Sequence, residues 1–350
     1  MNRLFLPAHT PVEQALRGLA LAHPGLLELH EDPLYVTARQ RHPARRVGIV
    51  SGGGSGHEPL HTGFVGPGML DAAVPGRVFA SPHNRQVYEA SRAVAGPDGV
   101  LHVVKNYTGD RINFGIAAER LRADGVPVRR VLVDDDLASE SAETATGRRG
   151  TGATVLVEKL LGGAADSGLG LDELASLGTD FAAASRSVAV AARAHTTPSR
   201  GGEAFELPDG TLEYGVGIHG ERAASTLEHP GFEALIDRMT EQVVNSLPEA
   251  ARSVVLLVNG LGSTTLLELY AVHARVSELL DERGVTVAGR LVGTFVPALD
   301  MSGFSLTLTA LRDDWAPFWH APARTPAFPA PSAFPDLPAF PALAAQEPVR

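Results

Sequence analysis

The chain contains no cysteine. That absence removes disulfides, thiolate zinc sites and cysteine nucleophiles together, so any covalent chemistry falls to Ser, Thr, Lys, His or a carboxylate. Lysine is nearly as scarce: of 30 Lys and Arg residues, Lys105 and Lys159 alone are lysine. Such a residue is either drift or a compact point charge that a planar guanidinium could not replace. There is no Lys/Arg-rich run and the formal net charge is -10, which excludes the basic stripe that a nucleic-acid binder needs. No stretch stays apolar for the ~18 residues of a membrane span, so no membrane association is expected. Pro7 and Pro11 interrupt the N-terminus before an apolar signal core can form, and a cytoplasmic protein is expected. No repeat of fixed period is visible.

What is present suffices for two ordinary domains: 350 residues, of which 44% are hydrophobic. An amphipathic helix from about Pro11 to Leu21 opens the chain. Arg46 to Val50 reads as a short buried strand that ends in the glycine loop Ser51-Gly-Gly-Gly-Ser-Gly-His57. Strand-like runs at Val100–Lys105 and Val128–Asp134 alternate with helical patterns at Asn113–Ala123 and Gly152–Ala165. This alternation predicts an α/β fold with a largely parallel sheet. A second α/β set begins near Ser187, with strands at Tyr214–Ile218, Ser253–Asn259, Val285–Val292 and Ser305–Leu311 and helices at Gly231–Ser246 and Thr265–Arg283. The expected organisation is an N-terminal α/β domain over 1–186, a C-terminal α/β domain over 187–320, and a Pro/Ala-rich tail over 321–350 that builds no packed core. Across both domains the sheets are expected to be largely parallel or mixed. The site is expected between the glycine loop of the first and a histidine-bearing strand of the second.

The glycine loop fits none of the familiar phosphate or nucleophile patterns. No Lys-Ser/Thr pair follows its last glycine, as a P-loop requires, and His57 stands where both G-x-G-x-x-G and G-x-S-x-G need glycine. His57-Glu58-Pro59-Leu60-His61 does satisfy H-E-x-x-H, the two-histidine zinc pattern, yet Pro59 is tolerable there only at a helix start. The remaining readings are a structural turn, or tight glycines that let backbone N–H groups approach a small ligand beside His57.

Lys105-Asn-Tyr-Thr-Gly-Asp110 follows a buried strand, at the carboxyl end where open α/β sheets place ligands. Asp110 is therefore either a general base or the N-cap of the next helix. Asp134-Asp135-Asp136 could hold Mg²⁺ or form a solvated turn. Arg148-Arg149-Gly-Thr-Gly152 could take an anion, although neutralising that acidic turn is the favoured role. Gly215-Val-Gly-Ile-His219-Gly-Glu221 sets a histidine among glycines at a strand end, with space and a pliable backbone around it, as a functional histidine needs.

Taken in order, SGGGSGHEPLHTGFVGPGMLDAA, VVKNYTGDRINF, VLVDDDLA, RRGTGATVLVEKLLGGAA, YGVGIHGE, LVNGLGSTTLLELY and LDMSGFSLTL resemble the substrate-binding domain (K subunit) of dihydroxyacetone kinases, from about residue 10 to residue 327. The resemblance implies a homodimeric two-domain α/β protein in which His219 adds to a ketone carbon to form a hemiaminal. It implies that Gly54, Lys105 and Asp110 contact the substrate, that Asp110 acts as base on the hydroxyl to be phosphorylated, and that His57 hydrogen-bonds the ligand. Dihydroxyacetone is the implied substrate, with tetrulose or glyceraldehyde analogues as relatives. No cofactor is implied on this chain: ATP, or ADP recharged by a phosphocarrier subunit, would sit with Mg²⁺ on a separate all-helical subunit. A non-catalytic sensor or coactivator paralogue is the alternative. Two departures stand out, Arg222-Ala-Ala-Ser after Glu221 where Pro-Gly is usual, and Phe318-Trp-His320 where Leu-Trp-Asp is usual.

Overall fold

Glycine in a strand permits neighbours to approach more closely than any side chain would, and that decides the centre of the first sheet. In a computed structural model, describing residues 4–139, 147–198, 201–221, 225–248 and 251–329, the run at Val47 does not give way to a loop at Ser51. Strand β3 continues through Val47–Ser55 with every residue buried. A Cβ on Gly52 would lie 2.4 Å from the Val74 carbonyl oxygen, and one on Gly48 2.2 Å from that of Val94. The glycine loop of the sequence reading is thus strand as far as Ser55.

Strands β4 (Ala72–Val78) and β5 (Gly99–Lys105) flank β3 in parallel, and β6 (Val128–Val133) pairs in parallel with β5. A hairpin of β1 (Leu27–Glu31) and β2 (Leu34–Ala38) joins β4 antiparallel, giving the order β1-β2-β4-β3-β5-β6. Helices α2 (Asn84–Val94) and α3 (Thr108–Ala123) bury Val87, Tyr88, Ala117 and Leu121 against Val50, Val74, Val100 and Val104 on one face. The largely parallel character expected here holds, with the hairpin added.

The second sheet contains β7 (Ser185–Arg193), β8 (Thr211–Tyr214), β9 (Ser225–Glu228), β10 (Ser253–Gly260), β11 (Thr286–Gly293) and β12 (Ser302–Ala310), ordered β11-β10-β12-β7-β8-β9. Of its pairs, β10 with β11 is parallel and the other four are antiparallel. This sheet is therefore mixed. A parallel pair needs a long crossover, supplied between β10 and β11 by α7 (Leu266–Glu282). Helix α6 (Phe232–Asn245) and α7 cover its outer face.

Between the two sheets runs α4 (Ala153–Asp166), buried from Ala153 through Ala165. Its Val155, Leu156 and Leu160 share one core with Ile49, Leu101 and Val131 of the first sheet and Val255, Leu257 and Leu291 of the second. Asp135 pins its N-terminus by accepting from Thr151 N at 2.7 Å, Thr151 Oγ1 at 2.8 Å and Ala153 N at 3.0 Å, with the Ser187 hydroxyl as a further donor. Asp136 pairs with Arg149 at 2.6 Å and Asp134 faces Arg148 at 3.9 Å. Asp135 and Asp136 are buried, so the acidic run is not a solvated turn, and Arg148 and Arg149 neutralise it as expected.

The expected tail begins by packing. Ala323 is buried, Arg324 N donates to Pro67 O at 2.8 Å, and Ala327 N donates to Gly63 O at 3.0 Å. Gly66 and Gly68, whose added Cβ atoms would lie 2.3 Å from Arg324 O and 2.1 Å from Pro322 O, make this approach possible. Residues 330–350 lie outside the described residues. Among the described residues no helix is long and apolar enough to cross a membrane.

Candidate functional site

The segment that carries His219 is not strand, as the sequence pattern had predicted. β8 ends at Tyr214, and Gly215 (φ 88°) and Gly220 (φ 78°) turn the chain in a conformation that other residues adopt at a cost. Glu221 closes this turn on the histidine: its Oε2 accepts from His219 N at 3.0 Å and its Oε1 meets His219 Nδ1 at 2.9 Å. Burial works to raise the Glu221 pKa, yet the His219 hydrogen bond and the Arg149 charge, 3.9 Å away, win and hold it at about 2. A carboxylate only accepts, so Nδ1 is the donor in this pair and Nε2 is the ring nitrogen that Glu221 does not engage. The His219 side chain is 21% exposed. Arg149 ties this turn to the acidic run, bonding Gly215 O at 3.0 Å as well as Asp136.

Around that imidazole stand the rings of Tyr107, His57 and Phe79, with centroids 4.6, 4.8 and 5.7 Å away. His57 Nδ1 donates to Pro297 O at 2.7 Å, which leaves Nε2 as an acceptor. Burial, then the nearby His219 and Lys105, drives the His57 pKa well below its usual range, so this ring is neutral. His57 Nε2, the Tyr107 hydroxyl and Asp110 Oδ1 are buried without a hydrogen-bond partner among the described residues. Burial also pushes the Tyr107 phenol well up, keeping its proton. Groups this costly to bury unpaired mark a place where a polar ligand belongs.

Asp110 sits in the first turn of α3, and the N-cap position belongs to Tyr107, so the capping alternative is set aside. Its Oδ2 lies 3.9 Å from Lys105 Nζ at the carboxyl end of β5. Gly54 lies against the backbone of Phe79, where a Cβ would come within 2.8 Å of Ala80 N. Of the residues singled out in sequence, His57 and His219 meet directly, Lys105 and Asp110 meet each other, and Gly54 meets the Phe79 segment. His57 and His61 do not converge as zinc ligands. They belong to a turn, and His61 instead contacts Lys105 and Glu158.

Sequence reasoning missed Glu221, Tyr107, Phe79 and Glu158. Glu221 and Tyr107 lay inside motifs already singled out. Phe79 carries an unusual φ of 56° that nothing in its neighbours announces.

The fold and this cluster match a known family: the Dak1 domain model covers residues 17–327. The chain belongs to the Dak1 family. It is 39% identical over 352 residues to the dihydroxyacetone-binding subunit DhaK of the PEP-dependent dihydroxyacetone kinase of Escherichia coli, spanning 93% of this chain and 99% of that one. The native dihydroxyacetone kinase of C. freundii superposes with a TM-score of 0.85 at 33% identity, covering 100% of this chain and 64% of that one. A dihydroxyacetone kinase operon co-activator, DhaQ, superposes with a TM-score of 0.82 at 34% identity, covering 90% and 97%. The phosphotransferase class expected from the sequence is thus that of the named kinase relatives.

Proposed function

We propose that this chain is the substrate-binding subunit of a dihydroxyacetone kinase and captures its ketose covalently on His219. The supporting observation is the His219–Glu221 pair, which leaves Nε2 unengaged on a ring packed against His57 and Tyr107, each with a buried polar atom that has no partner among the described residues. In the capture step Nε2 forms a bond to the ketone carbon, the carbonyl π pair moves onto oxygen, the oxygen takes one proton from solvent, and Nδ1 releases one proton to solvent past the Glu221 carboxylate. The product is a neutral hemiaminal. Glycerol, lacking a carbonyl, cannot undergo the step, so selection is made by reactivity.

His57 Nε2 then accepts a hydrogen bond from a substrate hydroxyl, Gly54 and Lys105 contact the ligand, and Asp110 takes the proton of the hydroxyl that attacks phosphorus. Positioning supplies much of what phosphoryl transfer requires. The phosphoryl donor, ATP or ADP recharged by a phosphocarrier, belongs with Mg²⁺ to a separate helical subunit, and the chain works as a cytoplasmic homodimer. Arg222, Ala223 and Ala224, the departure beside this site, lie outside the described residues, and tetruloses remain within the substrate class. Of the other departure, Phe318 is partly buried against the core and His320 is exposed.

Intact mass spectrometry of the protein with dihydroxyacetone and, separately, with glycerol tests the reading. One adduct with the ketone and none with the polyol is expected; no ketone adduct, together with no heat of binding, overturns it. The likeness to the DhaQ co-activator supports a second reading, ketone binding without transfer. Turnover with a nucleotide-bearing subunit separates the two.

A further inference from the structure

Behind Lys105 of the proposed site lie two buried ionisable side chains, His61 and Glu158, that the capture and transfer steps do not use. Lys105 Nζ is 2.6 Å from His61 Nε2, and His61 Nδ1 is 2.5 Å from Glu158 Oε1, in the middle of α4. All three are buried. Gly53 makes room for the first contact, since a Cβ there would lie 2.2 Å from Lys105 Nζ and 3.3 Å from His61 Nε2.

Ser51 decides how the protons are arranged. Its Oγ donates to the Val103 carbonyl at 2.9 Å, which uses its one hydrogen, so toward His61 Nδ1, also 2.9 Å away, it can only accept. Nδ1 therefore carries the hydrogen, shared between Ser51 and Glu158, and the bare Nε2 accepts from a Lys105 ammonium. The opposite arrangement, in which a Glu158 acid donates to Nδ1 and Nε2–H donates to a neutral lysine, has the same number of protons and the same total charge. Ser51 and Asp110 disfavour it.

We propose that Glu158, acting through His61, is a positioning residue that keeps Lys105 charged in the interior of the site. The proposal rests on the reading of Lys105 as a substrate contact. Burial is the largest cause of both shifts: it lowers the Lys105 pKa and raises that of Glu158, which stands at about 8. The charges of Asp110 and Glu158 oppose the lowering at Lys105, and the Lys105 charge opposes the rise at Glu158. The groups facing Lys105 are His57 and His61 from the turn after β3, Asp110 from α3 and Glu158 from α4. Removing the carboxylate at 158 leaves Asp110 as the one opposing anion, so Lys105 should lose its proton at lower pH.

Because Lys105 and Lys159 are the only lysines, ¹³C-lysine labelling gives two side-chain signals, assigned with Lys159→Arg. In Glu158→Gln the Lys105 titration midpoint is expected to fall by about one pH unit or more, with that of Lys159 unmoved. His61→Gln, which keeps a polar atom facing Lys105 and loses the Nδ1 bond, should shift it the same way. With a nucleotide-bearing subunit, the alkaline limb of the Glu158→Gln kcat profile should move down in parallel while KM for the ketone changes less than about threefold. An unchanged Lys105 midpoint in a Glu158→Gln protein with native circular dichroism overturns the proposal. So does a neutral Lys105 amine in the wild type near neutral pH, a measurement that requires no substitution within the Lys105–His61–Glu158 group. Neither titration involves substrate, so a missing ketone adduct on the wild type would instead count against the functional reading.

Discussion

His219→Ala is expected to remove the ketone adduct entirely and to lower kcat/KM for dihydroxyacetone by roughly 10³-fold, the scale at which tethering speeds a positioned reaction. The imidazole is the only bond-forming contact in the proposed capture step; its loss leaves the ligand to hydrogen bonds alone. Selectivity should change character as well, because a site without the nucleophile has little to distinguish dihydroxyacetone from glycerol. The side chain sits in a partly exposed glycine turn, so the melting temperature should stay within a few degrees of the parent. Intact mass and steady-state kinetics on the same preparation decide the matter. An adduct that survives in His219→Ala would place the covalent step on another residue.

Asp110→Asn is expected to have the complementary effect: the adduct forms as in the parent, and kcat falls by roughly 10²–10⁴-fold, the usual contribution of a positioned base. Asp110 is buried, with one oxygen facing Lys105 at 3.9 Å and the other unpartnered. Asparagine matches its shape and cannot accept the proton. Separating capture from transfer in this way needs both measurements, adduct by mass and turnover with the nucleotide-bearing subunit. If Asp110→Asn turned over at the parental rate, the assignment of the base would fail while the kinase reading stood.

Much of the site was legible because its residues follow apolar strands or sit among glycines, and both signals are local. Lys105 ends β5 and Asp110 follows it in the first turn of α3, His57 comes just after β3, and His219 lies between glycines. The glycines of β3 were misread as a loop because close approach to Val74 and Val94 depends on chains distant in sequence. The antiparallel pairing of the second sheet was equally hidden, since apolar runs look alike whichever way a neighbour points. Glu158 could not be placed: within an apolar helix it is one acidic letter, and its meaning comes from His61, which precedes it by 97 residues. The scarcity of lysine was informative for both residues, in different ways. Lys105 stands in the site, whereas Lys159 bonds Phe318 O at 3.2 Å, near the Trp319 ring, and fastens the C-terminal segment to α4.

That central helix links durability to chemistry. Because α4 offers buried side chains to both sheets at once, neither half can be opened without exposing the hydrocarbon that holds the other. A protein built this way should melt as one unit, with no partly unfolded state in which one sheet survives alone. Glu158 stands on the same axle, so the surroundings of Lys105 last as long as the whole fold and are dismantled only with it.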